Sequence, residues 1–419
     1  LSNFELLERE LTLKQLQINR LLNITQAIND NVSEEGLFNM YNSFLSWEMG
    51  IKKMALYIKG EDEEWRCPTH AGISKELLDM DIQEKLKTHT RLHNLGEEDE
   101  HPFINEFDVV VPVRHKDEAI AYTFIGGFDK DEDMYDKVSF ITTITNIIVV
   151  AIENKRLFNK KIEQEAIKRE MELAGAMQQM LIPQSLPKND RYELASIYQP
   201  HSTIGGDYFD FIDYDDPRFA FCVADVSGKG AAAALLMSNI QATVRYLINK
   251  RITAEPFIRE LNQRILESAK GEKFITFFIA EFNTETGELI YVNGGHNNPI
   301  LIENGKLQLL NKGCTILGAF DDVGKIEVGK IVVKEDALVV VYTDGLTDIQ
   351  NKEGVYFDED KLADFCMENK NLSAEEFNQT LTKRMEAFKG DEPYPDDVSV
   401  LTCRIKQGGV FISKNAPSV

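Results

Sequence analysis

The sequence predicts an α+β chain in which two domains are joined by a long helix. Short strand-like runs bounded by turns fill residues 51–128, and a helical period runs from about Asp133 to Ile182 before Pro183 and Pro187 stop it. Beyond Tyr192 strand-like runs return, one of them leading into a strong helix, and aspartates stand at their ends. A length of 419 residues suits two domains of ~100–200 residues each.

The elements follow in order. Apolar positions at Leu11, Leu16, Leu21, Ile24 and Ile28 keep a helical period that ends near Asn29 to Asn31, predicting a leading helix. KKMALYIKG, DVVVPVRH and AIAYTFIGGF read as strands, interrupted by the polar segment Gly96 to Glu100, and the helix beginning near Asp133 closes this first module. The same helix continues through NKRLFNKKIEQEAIKREMELAGAMQQMLI. Its positions Ile162, Ala166, Arg169, Leu173, Ala176 and Met180 step alternately by four and three, an imperfect heptad with one charged member, which predicts a parallel dimeric coiled coil. The expected divisions are residues 1–152 for the first domain with its leading helix, 153–189 for the helical linker, 190–407 for the second domain and 408–419 for a loose tail.

Composition narrows the function classes. With 43% hydrophobic and 27% charged residues the chain reads as an ordinary soluble protein. Its longest apolar stretch, ITTITNIIVVAI at 141–152, falls short of the ~20 residues of a membrane span, so no membrane partner is expected. A net charge of -23 repels nucleic acid phosphates and anionic lipid surfaces, and no nucleic acid partner is expected either. Five cysteines without CxxC spacing argue against a disulfide framework and a zinc site. Together with the lack of a signal-sequence pattern at the start of the chain as given, they predict a cytoplasmic protein.

The chemistry lies in the carboxylates. YFDFIDY, the turn DDPR and FAFCVADV form a hairpin, and a turn centred on Asp216 places Asp207 directly opposite Asp225. Opposed carboxylates destabilise a sheet unless a proton or cation sits between them. Hard oxygen ligands on rigid strands point to magnesium or manganese. ALVVVYTDGLTD brings a buried strand to Asp344, and YPDDVSVLTCRI sets Asp396 and Asp397 just before another strand. One such aspartate is usually a turn former, but four such places in one domain weaken that reading. DVSGKG lacks the GxxxxGK[ST] spacing of a phosphate-binding loop, and its Lys229 is read as a surface charge.

From about Met171 to Ile405 the chain resembles the SpoIIE and RsbU branch of the metal-dependent protein phosphatase superfamily, also called PPM or protein phosphatase 2C. The resemblance rests on AGAMQQMLIPQSLP, IGGDYFDF, ADVSGKGAAAALLMS, NGGHNNPILI, YTDGLTD and DDVSVL in that order. It implies an α-β-β-α sandwich with two divalent metal ions, Mn or Mg, at one end. Asp225 would bridge the metals, Asp207 and the Val226 carbonyl would complete one site, and Asp344 with Asp396 would hold the other. The four aspartates would then be catalytic through a water activated between the cations, hydrolysing phosphoserine or phosphothreonine on a partner protein. The resemblance further implies a phosphorylated STAS-domain anti-sigma-factor antagonist as substrate. Asp397 stands where relatives carry Asn and takes a supporting role, and His296 in NGGHNNP is a positioned turn histidine. The arginine with which eukaryotic relatives hold the phosphate has no counterpart near Gly205.

The region from Leu21 to Ile152 resembles a GAF-type sensory domain in element order and in its place ahead of a signalling helix, although the NKxDE pattern of some such domains is absent. Cys67 and His70 in RCPTHAG are read as structural loop residues rather than haem ligands. The rival reading of GGDYF as the GGDEF signature of a cyclic-dinucleotide synthase leaves Asp344 and Asp396 unexplained. A catalytically dead binding module is disfavoured because every expected aspartate is present.

Overall fold

The computed structural model describes residues 3–60, 62–89, 91–95, 101–115, 118–128, 134–214 and 217–406. The polar segment from Gly96 to Glu100, the turn residues Asp215 and Asp216, and the predicted tail therefore lie outside the described residues. The chain divides into two compact units, Leu1–Glu165 and Ala166–Val419.

The first unit holds a five-stranded antiparallel sheet. Its strands are β1 (Lys53–Lys59), β2 (Trp65–Ala71), β3 (His93–Asn94), β4 (Val109–His115) and β5 (Glu118–Gly126), in the order β2-β1-β5-β4-β3. Strand β2 takes in Cys67 and His70, which the sequence reading left in a loop. Pro68 explains both facts: a residue without an N–H is tolerated on an edge strand, and β2 is an edge. The leading helix Asn3–Asn29 and helix Glu34–Ser43 pack with the long helix Met134–Gln179 on the sheet, where Ile24, Phe38, Tyr41, Ile141, Ile144, Ile148 and Ile152 share one core. By length and apolar composition Met134–Gln179 also qualifies as a membrane span, but burial of its isoleucines among β1, β4 and β5 residues marks it as a core helix.

The second unit is a sandwich of two sheets. β6 (Tyr192–Gln199), β7 (Tyr208–Asp213), β8 (Arg218–Val226), β9 (Ile275–Asn283), β10 (Glu288–Gly294), β11 (Ile300–Glu303), β12 (Lys306–Leu309), β13 (Gly313–Cys314), β14 (Gly329–Val332), β15 (Ala337–Tyr342) and β16 (Val398–Ile405) supply its strands. One sheet runs β13-β10-β9-β8-β7 with β14 beside β10, and the other runs β12-β11-β15-β16-β6. Helices Ala231–Asn249 and Ala254–Ala269 flank the first sheet, and Glu359–Glu368 and Ala374–Lys389 flank the second. Phe209, Phe221 and Phe278 meet Val339, Val341 and Leu401 in the core between the sheets. This is the layered architecture expected of the second domain.

Candidate metal centre

The hairpin fixes the first two acids. Tyr208 pairs with Ala224 and Phe209 with Val223, the register a turn at Asp216 requires, so Asp207 precedes β7 at the level where Asp225 ends β8. Asp225 pairs in turn with Thr276 on β9, which holds its backbone from both sides. Asp207 is almost fully buried and accepts a hydrogen bond of 2.8 Å from the Thr343 hydroxyl. Thr343 lies between β15 and the short helix Asp344–Thr347, so this bond joins the Asp207 segment to the chain that presents Asp344.

Electrostatics binds the set together. Burial, then the Asp225 charge, raises the Asp207 carboxyl well above the usual carboxylate range. Burial, with the charges of Asp344, Asp396 and Asp397, pushes Asp225 up to about 7, and a hydrogen bond with the Asp207 carboxyl offsets part of that rise. Asp344 is raised by burial and by the neighbouring Asp348 and Asp396 charges. The sequence-predicted acids are thus within electrostatic reach of one another. Among the described residues, however, no three His, Cys, Asp or Glu side chains already converge tightly enough to hold a metal ion. Both facts have one cause: like charges hold the oxygens apart, and a divalent cation is what would draw them in. The all-oxygen donor set, with its protonated buried carboxyl and the Val226 carbonyl adjoining Gly206, fits a hard cation.

The surrounding residues give this end of the sandwich its rigidity. Asp397 accepts hydrogen bonds from the backbone N–H groups of His201 at 2.8 Å and Gly206 at 2.6 Å, so it clamps the segment leading into Asp207 instead of facing the other acids. A β-carbon at Gly205 would run into the Asp397 carboxylate. His296 is buried in a turn that Asn293 closes through both its amide atoms, and its Nδ1 lies 2.8 Å from the Thr276 hydroxyl. Burial lowers its pKa to about 4, so the ring is neutral and supports the strand beside Asp225. Lys229 is more than a surface charge: its ammonium sits 3.0 Å from Asp396 Oδ2 and donates to the Pro395 carbonyl at 2.7 Å.

Two contributors escaped the sequence reading. Thr343 stood in the YTDG motif unremarked, and only its place before the predicted ligand Asp344 signals it. Gln178, at the end of the long helix, hydrogen-bonds Gly205 and carries no sequence signal of its own.

The geometry has known counterparts. Residues 215–406 match the family described as Stage II sporulation protein E (SpoIIE). The chain is similar to phosphoserine phosphatase RsbU of Bacillus subtilis (strain 168), at 26% identity over 278 residues covering 66% of this chain and 81% of that protein. It is similar to phosphoserine phosphatase RsbP of the same organism, at 24% identity over 186 residues, 43% of this chain and 46% of that one. Among solved structures, the SiaA-PP2C domain of Pseudomonas aeruginosa superposes with a TM-score of 0.52 at 16% identity, covering 58% of this chain and 99% of that domain, a likeness of fold. The second unit is a SpoIIE-type domain of the PP2C class of protein serine/threonine phosphatases.

Proposed function

We propose that this chain is a sensor-regulated, metal-dependent phosphatase that hydrolyses phosphoserine or phosphothreonine on a partner protein. The observation that carries the reading is Asp225, a buried carboxyl coupled on one side to Asp207 and on the other to Asp344 and Asp396. In this reading Asp225 bridges two cations, Mn or Mg, with Asp207 and the Val226 carbonyl on one and Asp344 and Asp396 on the other. Such cations supply acidification of a water and neutralisation of phosphoryl charge. The protein supplies placement. Thr343 orients the Asp207 carboxyl, Asp397 holds the backbone before it, and neutral His296 keeps Thr276 and the adjoining strand in register. Lys229 brings a positive charge beside Asp396, where an anionic phosphoryl group would approach.

The similarity to two proteins named phosphoserine phosphatase supports phosphoserine as a substrate group. A small phosphorylated STAS-domain antagonist is the partner we favour. The first unit, with its antiparallel sheet and flanking helices, is read as a GAF-like sensor, and residues 153–189 as the helix through which two copies pair. The acidic charge and reduced cysteines suit a cytoplasmic setting.

The direct test mixes purified chain and manganese with candidate phosphorylated STAS proteins and follows phosphate release. Activity toward these or a generic aryl phosphate is expected only with added manganese or magnesium, and to vanish in chelator. Full activity in metal-free, chelated protein would sink the reading.

A further inference from the structure

Between Leu157 and Met180 the long helix exposes every residue except Gly175 and Gln178. These two are three positions apart and share a face. That face lies against the segment leading into Asp207. At Gly175 the helix comes so close that a β-carbon would strike the carbonyl oxygen of Thr203, a backbone atom with little freedom to move. One turn on, the Gln178 side-chain amide engages Gly205 twice: Nε2 donates to the Gly205 carbonyl at 2.7 Å, and Oε1 accepts from the Gly205 N–H at 3.1 Å. Only one orientation of the amide satisfies both bonds, so its rotamer and flip are fixed by the pairing. The next residue, Gly206, donates to Asp397, and Asp207 follows. The segment 203–206 is therefore pinned by the helix on one side and by Asp397 on the other.

We propose that Gln178 is a positioning residue for the metal site: its amide, seated by the close approach at Gly175, fixes the 203–206 segment and so sets where Asp207 presents its carboxylate. The proposal rests on the reading that Asp207 holds a cation. Its consequence is that the end of the long helix is a structural part of the site. A small rotation or withdrawal of that end breaks both Gly205 bonds at once and loosens Asp207, although no residue of the helix meets substrate.

The test uses the full chain and manganese alone as the probe. Manganese binding is measured by calorimetry on wild type, Gln178→Ala, Gln178→Glu, Gly175→Ala and the exposed neighbour Gln179→Ala, with melting temperatures and aryl-phosphate turnover against manganese concentration. Gln178→Ala is expected to weaken manganese binding about 10- to 100-fold, the usual cost of losing a residue that orients a ligand. The manganese needed for half-maximal turnover should rise by the same factor, while turnover at saturating manganese largely recovers. Gln178→Glu, which sets a carboxylate against the Gly205 carbonyl, and Gly175→Ala should do the same, and Gln179→Ala should match wild type. Should Gln178→Ala fail to fold, the other two variants carry the test. A merely structural residue would lower the melting temperature and leave the manganese affinity of folded protein unchanged, and that result would overturn the proposal alone. Wild type binding no more manganese than Asp225→Asn would overturn the metal reading and the proposal with it.

Discussion

Strand pairing on both sides of β8 leaves the Asp225 carboxyl little freedom to turn from the other acids, so its protonation reports the strain of the site. Its titration moves from 3.8 to about 7, mainly through burial and then through Asp344 and Asp396. For an acid raised in this way the native state holds a proton that the unfolded chain has released. Metal-free stability therefore falls as pH rises between those values, and the loss is complete above pH 7. At ~1.4 kcal/mol per unit the upper limit is about 4 kcal/mol, reduced in practice because neighbouring acids share the proton. Metal-free wild type should thus melt at a lower temperature at pH 8 than at pH 6. Asp225→Asn should remove much of that difference and gain about 1–3 kcal/mol at pH 8. In manganese the same variant should lose at least ~100-fold in turnover. Thermal melts in chelator and phosphate release in manganese check the two halves. Retained turnover with unchanged metal content would refute the assignment of Asp225.

At the scale of elements, helix Ala231–Asn249 is fastened to β7 through a buried acid. Asp210 is fully buried and receives Arg245 through Nε at 2.7 Å and a second guanidinium nitrogen at 3.0 Å, together with the Tyr208 hydroxyl at 2.7 Å and the Phe211 N–H. Truncating the arginine strands a carboxylate in the interior, so Arg245→Ala should cost about 3 kcal/mol, read from the shift in a urea unfolding midpoint. A change within error would show that the remaining donors suffice. What the sequence discloses follows the same division between local and distant causes. The hairpin register was legible, because turn chemistry and a period of two fix which residues face each other. The edge strand β2 was not, because WRCPTHA breaks the apolar alternation and carries Pro68. The Asp344 strand end was legible from the run before it. Gln178 and Thr343 were not, since each acts on a residue far off in the chain, 27 and 136 positions away, and no local pattern encodes such a meeting.

For the whole molecule, the question is whether two copies meet along the long helix. Ile162, Ala166, Arg169, Leu173, Ala176 and Met180 are all exposed, with Leu173 at 68% and Met180 at 78%, so the heptad positions carry apolar side chains that nothing else in the chain covers among the described residues. Exposed apolar positions at heptad spacing favour a second helix, and Arg169 within the seam makes that pairing costly. A marginal dimer is one whose pairing a sensor can shift. The opposite face of the same helix carries Gly175 and Gln178, so a change of pairing would be felt at Gly205. Arg169→Leu is expected to tighten dimerisation about tenfold, equal to ~1.4 kcal/mol, and to move basal turnover away from the wild-type value. Sedimentation and turnover are to be measured together over a range of protein concentrations. A wild type that stays monomeric throughout, with a mutant matching it in both assays, would reduce the helix to a tether and end the signalling model.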